Sequence, residues 1–145
     1  MEIRLAESDA DVQACVRVLR ELRPALQEDA MAAQIREQQR EGFRLAMLCD
    51  EGAVRCVAGF RVMLMLHSGR TMYVDDLVTA SAGRSRGYGR AMLEWLRALA
   101  QAEGCATFSL DSGTQRQEAH AFYLRERLRI TSFHFAMPLS DQKKG

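Results

Sequence analysis

The sequence is poor in several features that mark particular classes of protein. Only two prolines and one tryptophan occur among 145 residues, and no apolar run approaches the ~20 residues that span a bilayer. The charge is nearly balanced, with 20 Lys and Arg against 19 Asp and Glu, so no surplus of positive charge favours a polyphosphate partner. These shortages argue against a membrane protein and against a nucleic-acid-binding protein.

Metal and redox motifs are also absent from the spacing of the cysteines. No CxxC pair occurs, and no histidine stands at ligand spacing from a cysteine. We therefore interpret the cysteines as reduced core thiols and predict no metal. The N-terminal segment MEIRLAESDAD is charged where a signal peptide would be apolar, so we expect a cytoplasmic protein. The four cysteines are Cys15, Cys49, Cys56 and Cys105.

What is present is typical of one folded domain. Hydrophobic residues make up 48% and charged residues 27% of the chain, and a single domain over residues 1–145 fits the usual size of about 100–150 residues. Apolar periodicity predicts strands over 2–6, 43–49, 54–66, 71–78, 105–110 and 131–139. It predicts helices that begin at a Ser8 or Asp9 cap, near residue 26, near Gly89, and at a capping box formed by Thr114 and Gln117.

The order of these elements predicts how the strands pair. The three strands from 43 to 78 follow one another through short turns, which indicates antiparallel pairing. The strand over 71–78, the next helix and the strand over 105–110 form a βαβ unit, in which a right-handed crossover gives parallel pairing.

The stretch RSRGYGRA, residues 84–91, lies between that strand and the helix of the βαβ unit. Glycines there allow successive backbone N–H groups to converge, and the helix N-terminus adds about half a positive charge. Arg84, Arg86 and Arg90 add forked donors that suit phosphate geometry. The loop lacks the GxxxxGK[ST] pattern of a P-loop. It therefore predicts a site for a pyrophosphate.

This arrangement resembles the GNAT superfamily of acetyl-CoA-dependent N-acetyltransferases. The residues that carry the resemblance are Arg86, Gly89 and Ala91, in the places of the signature Q/R-x-x-G-x-G/A, and the later AHAFY of residues 119–123. The resemblance implies an α/β (α+β) fold with a mixed, mostly antiparallel central sheet, helices on both faces and a βαβ coenzyme-binding core. It also implies that acetyl-CoA is the cosubstrate. The expected coenzyme contacts are Leu77, Val78, Thr79, Arg84, Arg86, Gly87, Tyr88, Gly89, Arg90 and Ala91.

Two adjacent carboxylates, Asp75 and Asp76, interrupt an otherwise apolar strand, where burying them is costly without a partner or a function. Strand alternation directs them to opposite faces unless a β-bulge redirects one of them. Resemblance to polyamine-acetylating members implies that Asp75 acts as the base, through water, and that Asp76 holds a cationic substrate. The structural alternative is that each pairs with a nearby arginine.

Tyr123 matches the tyrosine that, by the same resemblance, protonates the departing thiolate of coenzyme A. The alternative is simple core packing beside Phe122. Asp111 and Ser112 are expected on the substrate side, although Ser112 is equally suited to cap a helix. Histidine is a residue type that commonly transfers protons near neutral pH, so the choice between His120 and an aspartate as the base stays open.

The predicted function is acetyl transfer from acetyl-CoA to a primary amine, by direct attack in a ternary complex. The acidic pair favours a small cationic amine as the acceptor. Two alternatives stay open: a non-catalytic acyl-CoA-binding regulatory module, and a protein N-acetyltransferase. A homodimer is also expected, on the resemblance alone.

Overall fold

The computed structural model describes residues 1–84 and 86–140, which have an α/β fold with one central sheet. No helix in this part of the chain has the length and apolar character needed to cross a bilayer. A single 3-10 turn at Ser81–Gly83 follows the fourth strand. The elements in chain order are β1 (Glu2–Leu5), α1 (Asp9–Leu19), α2 (Glu28–Arg40), β2 (Arg44–Asp50), β3 (Ala53–Met65), β4 (Gly69–Thr79), α3 (Tyr88–Ala102), β5 (Thr107–Leu110) and α4 (Gln117–Arg125).

The sheet has the order β1-β2-β3-β4-β5, and it is mixed. The first four strands pair antiparallel with their neighbours in sequence, while β5 pairs parallel to β4. Helix α3 makes the crossover between β4 and β5, as the βαβ prediction required. The predicted fold class is therefore confirmed.

Helices cover the sheet on both faces. Helix α1 begins where Ser8 Oγ accepts a hydrogen bond from the Asp11 amide at 3.1 Å, so Ser8 is the cap of the two that the sequence predicts. Together with α2, α1 buries Val12, Val16 and Ile35 against one face of the sheet. The apolar stripe of α3 is buried against the opposite face, among residues of β2, β3 and β4. The core therefore consists of two apolar layers separated by the sheet.

A β-bulge in β4 places both acidic residues on one face of the sheet. Gly59 of β3 pairs with Asp76, but the next residue, Phe60, pairs with Val74, so Asp75 is an extra residue without an opposite partner. Val74 and Leu77 on either side pack in the α3 layer. Asp75 and Asp76 therefore both point toward the α1 and α2 layer. Simple alternation would place them on opposite faces, and the bulge redirects one of them.

Two predictions at the C-terminal end are wrong. Helix α4 begins at Gln117 with Arg116 as its N-cap residue, and no side chain caps it, so the box of Thr114 and Gln117 does not form. The predicted closing strand over 131–139 is absent, because that segment has no strand beside it in the described chain, and every one of its residues is exposed. Apolar and smaller or polar side chains do alternate in this segment. A β-strand also needs a neighbouring strand to take up its main-chain hydrogen bonds, and the segment has none in the described chain.

Candidate active site

Strand β4 continues past the end of its parallel partner, and this opens a cleft. Pairing between β4 and β5 ends at Val74 and Leu110, whereas β4 runs on to Thr79. From Asp75 onward, the edge of β4 toward β5 carries main-chain groups without a strand partner in the described chain. A cavity of about 850 Å³ lies there. That volume is typical of pockets that hold cofactors.

The cleft brings together most of the coenzyme-binding residues predicted from the sequence. Nine predicted residues line it: Leu77, Val78, Thr79, Arg84, Gly87, Tyr88, Gly89, Arg90 and Tyr123. The structure does not place Arg86 or Ala91 among the described lining residues. Sequence reasoning assigned no site role to ten further lining residues, because the packing of distant elements brings them to the cleft; Ala119 and Phe122 lie in the AHAFY motif, which indicated only Tyr123. The ten are Glu21, Leu22, Gln115, Arg116, Gln117, Glu118, Ala119, Phe122, Arg125 and Glu126.

The first turn of α3 offers three amides to the cleft. Gly87 is the N-cap residue, in the left-handed region at φ 82°, and no side chain caps the helix. The Gly87 carbonyl accepts from the Ala91 amide at 3.0 Å, which is the first bond of the helix. The amides of Tyr88, Gly89 and Arg90 therefore have no acceptor within the helix. Three convergent N–H groups at the positive end of a helix dipole favour an anion.

The side chain of Tyr88 anchors this loop to the sheet rather than entering the cleft. Its ring is buried, and its hydroxyl donates to Asp50 Oδ2 at 2.8 Å. Gly83 leaves room for the ring, since a Cβ there would lie 2.9 Å from Tyr88 Cε2. Tyr88 is thus available to a coenzyme through its main chain.

The loop arginines are mostly exposed, and each lies near a carboxylate. Arg86 donates to Glu51 at 3.1 Å, and Arg90 donates to Glu94 at 3.2 Å. Arg84 lies 3.9 Å from Glu21, which also accepts from the Ser81 amide at 3.0 Å and so fixes the start of the loop. Exposed pairs of this kind contribute little to stability, so an anion in the cleft can compete for the guanidinium groups.

Helix α4 forms the wall opposite the loop. Phe122 faces Gly89, because a Cβ on Gly89 would lie 3.5 Å from Phe122 Cζ. Tyr123 is half-buried beside Phe122, with ring centroids 5.4 Å apart, and burial raises the pKa of its hydroxyl. Tyr123 therefore keeps its proton at neutral pH, as a proton donor must.

The two aspartates of the bulge lie outside the main cleft, and each has an arginine partner. Both carboxylate oxygens of Asp75 accept from Arg61, at 3.1 and 2.7 Å. Asp76 accepts from Arg23 at 2.9 Å and lines a separate cavity of about 60 Å³. Burial raises the pKa of Asp76, although the charge of Arg23 opposes that effect. The structure therefore shows the alternative left open by the sequence, in which each aspartate pairs with a nearby arginine.

The remaining predicted residues lie near the end of β5 and the start of α4. Asp111 accepts from the Tyr73 hydroxyl at 2.7 Å, and His134 Nδ1 lies 3.7 Å from its carboxylate. Ser112 Oγ is buried and has no hydrogen-bond partner in the described part of the chain. Asp111 and Ser112 do not belong to the described lining of the cleft.

The contacts of His120 and the burial of Cys15 and Cys56 suit these residues to structural roles. His120 Nε2 lies 2.7 Å from the Gly113 carbonyl oxygen, so the imidazole fixes the loop before α4. Burial raises the pKa of Cys15 to about 12 and that of Cys56 to about 11, which makes a thiolate nucleophile unfavourable at either position. Within residues 1–84 and 86–140, no group of three or more His, Cys, Asp or Glu residues is arranged to hold a metal ion.

Comparisons with known proteins agree with this architecture. Residues 12–127 match the acetyltransferase (GNAT) family. An uncharacterized N-acetyltransferase, YhdJ of Bacillus subtilis (strain 168), is 34% identical over 102 residues, which cover 70% of this chain and 72% of YhdJ. The family match over most of the chain and the identity to this relative show that the chain belongs to the acetyltransferase (GNAT) family.

Solved structures show the same fold at low sequence identity. A ribosomal-protein-alanine N-acetyltransferase from Brucella melitensis biovar Abortus 2308 superposes with a TM-score of 0.83 at 15% identity, covering 96% of this chain and 100% of that one. The aminoglycoside N-acetyltransferase AAC(6')-Iy in complex with CoA superposes with a TM-score of 0.82 at 13% identity, covering 94% of this chain and 93% of that one.

Proposed function

We propose that this protein transfers an acetyl group from acetyl-CoA to a primary amine, by direct attack of the amine in a ternary complex. The observation that carries the proposal is one cleft that holds three groups: the unpaired edge of β4 at 77–79, the free amides at the start of α3, and the half-buried Tyr123. Membership of the GNAT family and the CoA complex of AAC(6')-Iy support the same coenzyme.

In this proposal the coenzyme binds mainly through main-chain groups. Its pyrophosphate accepts from the amides of Tyr88, Gly89 and Arg90, where the helix dipole favours negative charge. Its pantetheine arm runs along Leu77, Val78 and Thr79, whose main-chain groups lack a strand partner on that side. Arg84 and Arg90 supply positive charge at the rim of the cleft. Arg86 lies outside the described lining, and its hydrogen bond to Glu51 holds the loop in place.

Tyr123 is the proposed acid for the departing thiolate. Its side chain lines the cleft, and the raised pKa keeps the hydroxyl protonated until a strong base forms beside it. Such positioned proton transfer contributes roughly 100- to 10,000-fold to a rate. No acyl-enzyme is needed, since the amine can attack the thioester directly and the buried thiol of Cys56 is a poor nucleophile.

A base must deprotonate the amine, because an alkyl ammonium with a pKa near ~10.4 is only about 0.1% neutral at pH 7.4. The contacts favour Asp76 over Asp75 in this role, which reverses the roles expected from the sequence. Asp75 is held at both oxygens by Arg61, whereas burial raises the pKa of Asp76 and makes it the stronger base. Asp76 is also only two residues, about 7 Å along the strand, from Val78 in the cleft.

The acceptor is proposed to be a small cationic amine that approaches from the α1 side of β4. The two aspartates supply negative charge there, and Arg23 and Arg61 balance it in the free protein. An acceptor ammonium can then replace one arginine as the partner of a carboxylate, which selects for positive charge without leaving an unpaired buried group. Asp111 and Ser112, just after β5, are the proposed further contacts of the acceptor.

Thiol release tests this proposal. The purified chain is mixed with acetyl-CoA, a thiol reagent and a panel of polyamines, aminoglycosides, amino acids and a peptide with a free N-terminus. We expect turnover with at least one small cationic amine. Binding of acetyl-CoA with no turnover on the whole panel would instead indicate a regulatory acyl-CoA-binding module, and turnover on the peptide alone would indicate a protein acetyltransferase.

Two variants test the roles of the side chains. Tyr123→Phe should lower kcat at least tenfold with little change in coenzyme affinity, whereas Leu124→Ala, at the exposed next position of α4, should change neither. Asp76→Asn should lower kcat/KM at pH 7 by a factor that shrinks as the pH rises toward the pKa of the amine, because a neutral amine needs no base. A larger pH-dependent deficit in Asp75→Asn would assign the base to Asp75.

A further inference from the structure

Arg116 is a cation of the cleft that has no carboxylate partner. It lines the cleft and is half-buried, and within the described chain its guanidinium forms neither a hydrogen bond nor an ion pair. The loop arginines differ from it, because Arg84 lies 3.9 Å from Glu21 and Arg90 donates to Glu94. Partly burying a charge without a partner costs stability. The guanidinium is therefore available to negative charge that develops in the cleft.

Arg116 does not stabilise the helix that it begins. It is the N-cap residue of α4, but a guanidinium has no acceptor for the free helix amides, and no side chain caps this helix. Its charge also lies at the positive end of the helix dipole, which is unfavourable for a cation. Its main chain is nevertheless fixed, because the amide donates to the Gly113 carbonyl at 3.0 Å and the carbonyl accepts from the His120 amide at 3.1 Å. Helix formation therefore does not explain an arginine here.

The geometry of α4 brings Arg116 and Tyr123 to the same side of the helix. The two residues are seven positions apart, which is within about 20° of two full turns. Ala119, between them, also lines the cleft. Side chains of a helix lean toward its N-terminus, so the ring of Tyr123 extends over the turn of Ala119 toward Arg116. The small side chain of Ala119 leaves space for this approach.

The charge of Arg116 acts on the Tyr123 hydroxyl. Burial raises the pKa of that hydroxyl, whereas the positive charge of Arg116 lowers it. Cys56 of β3 also acts on Tyr123, but burial raises the pKa of this thiol to about 11, so it is uncharged at neutral pH. Arg116 is thus the cation that opposes the effect of burial on Tyr123.

An acid that protonates a thiolate needs such a cation when it is a tyrosine. An alkyl thiol has a pKa of ~8.5 and a phenol one of ~10, so the proton transfer is unfavourable by about 30-fold before burial adds to it. When the C–S bond breaks, its electron pair goes to sulfur, and the proton passes from Tyr123 to that sulfur. The phenolate then regains a proton from solvent, and solvent receives the proton that the amine loses. A positive charge beside the phenolate makes this step more favourable.

We propose that Arg116 makes Tyr123 an effective acid by holding a positive charge beside the phenolate that forms when coenzyme A departs. This inference rests on the acid role of Tyr123 in the proposed function and extends it. Arg116 is a positioning residue in this step, because it acts through Tyr123 and not on the coenzyme.

Titration of Tyr123 and steady-state kinetics test the proposal on the full chain. NMR of tyrosine labelled with 13C at Cζ follows the hydroxyl in the free protein, and Tyr123→Phe identifies its signal. Arg116→Gln should raise the pKa of Tyr123 and lower kcat roughly tenfold or more, with little change in the Kd for CoA. Arg116→Lys keeps the charge and should restore most of kcat. The matched control, Arg129→Gln, removes an exposed arginine outside the described lining of the cleft and should change none of these quantities.

A double variant separates this role from a purely structural one. In the Tyr123→Phe background, Arg116→Gln should lower kcat by less than about twofold, because no phenolate forms there. The proposal is overturned by an unchanged pKa of Tyr123 or an unchanged kcat in Arg116→Gln, or by a loss of kcat that is equally large in both backgrounds. A weaker Kd for CoA with kcat intact would also overturn it, since Arg116 would then bind the coenzyme. If Tyr123→Phe itself keeps the wild-type kcat, the acid role in the proposed function fails as well; if only Arg116→Gln keeps it, this inference fails alone.

Discussion

Replacing Gly89 by alanine should weaken coenzyme binding while leaving the fold intact. A Cβ at this position would lie 3.4 Å from Thr79 Oγ1 and 3.5 Å from Phe122 Cζ, which are ordinary contacts. Alanine also favours a helix over glycine by up to about 1 kcal/mol, so the free energy of unfolding should not fall. The added methyl narrows the cleft where phosphate oxygens must come within about 3 Å of the amides of α3. Loss of one charged hydrogen bond costs about 1.5–3 kcal/mol, or roughly a 10- to 150-fold weaker Kd.

Calorimetric titration with CoA and urea unfolding measure the two effects separately. The control is Ala98→Gly, at an exposed position of the same helix. That variant should lose about 1 kcal/mol of stability and keep the wild-type Kd. The reasoning is refuted if Gly89→Ala binds CoA as tightly as the wild type, or if Ala98→Gly loses affinity to the same extent.

The remaining predictions concern the parts of the fold that position the site. Tyr88→Phe removes the hydroxyl that bonds to β2 and should cost about 1 kcal/mol in urea unfolding; no change would mean that the buried ring alone holds the loop. Gly59→Ala should cost about 1–3 kcal/mol, because a Cβ would lie 2.3 Å from Phe43 Cζ beside the bulge; an unchanged unfolding midpoint would contradict that contact. The hydrogen bonds from Arg4 lower the pKa of Asp11 from its ordinary 3.8 to about 2. The ionised carboxylate therefore stabilises the native state above about pH 4, and this stabilisation is lost as the pH falls toward 2. The difference in free energy of unfolding between the wild type and Asp11→Asn should shrink across that range; a difference that stays constant would contradict the prediction.

Much of the fold could be predicted from the sequence because its signals are local. Alternating apolar residues located β2 to β4, and Ser8 located the start of α1. The glycines at 87 and 89 located the first turn of α3, and the structure shows the reason at Gly87, whose left-handed N-cap conformation favours glycine. Each of these features depends on residues within one turn or one hairpin.

The rest depends on contacts between distant residues. The common face of Asp75 and Asp76 depends on a bulge opposite Gly59, where Phe43 takes the space of a side chain, and no pattern within β4 signals it. Residues such as Glu21 and Phe122 reach the cleft only through the packing of α1 and α4. The alternation of residues 131–139 is that of a strand, but such a pattern does not specify a neighbouring strand, and none lies beside these residues in the described chain.

The central claim, that main-chain amides at the start of α3 bind the diphosphate of acetyl-CoA, is tested most directly by NMR titration of the 15N-labelled protein with CoA. The account predicts that the largest amide shift changes occur at Tyr88, Gly89 and Arg90, with smaller changes at Val78 and Thr79, and that all saturate with one CoA per chain. Saturation with the largest changes elsewhere, or no change at these amides at millimolar CoA, would contradict it.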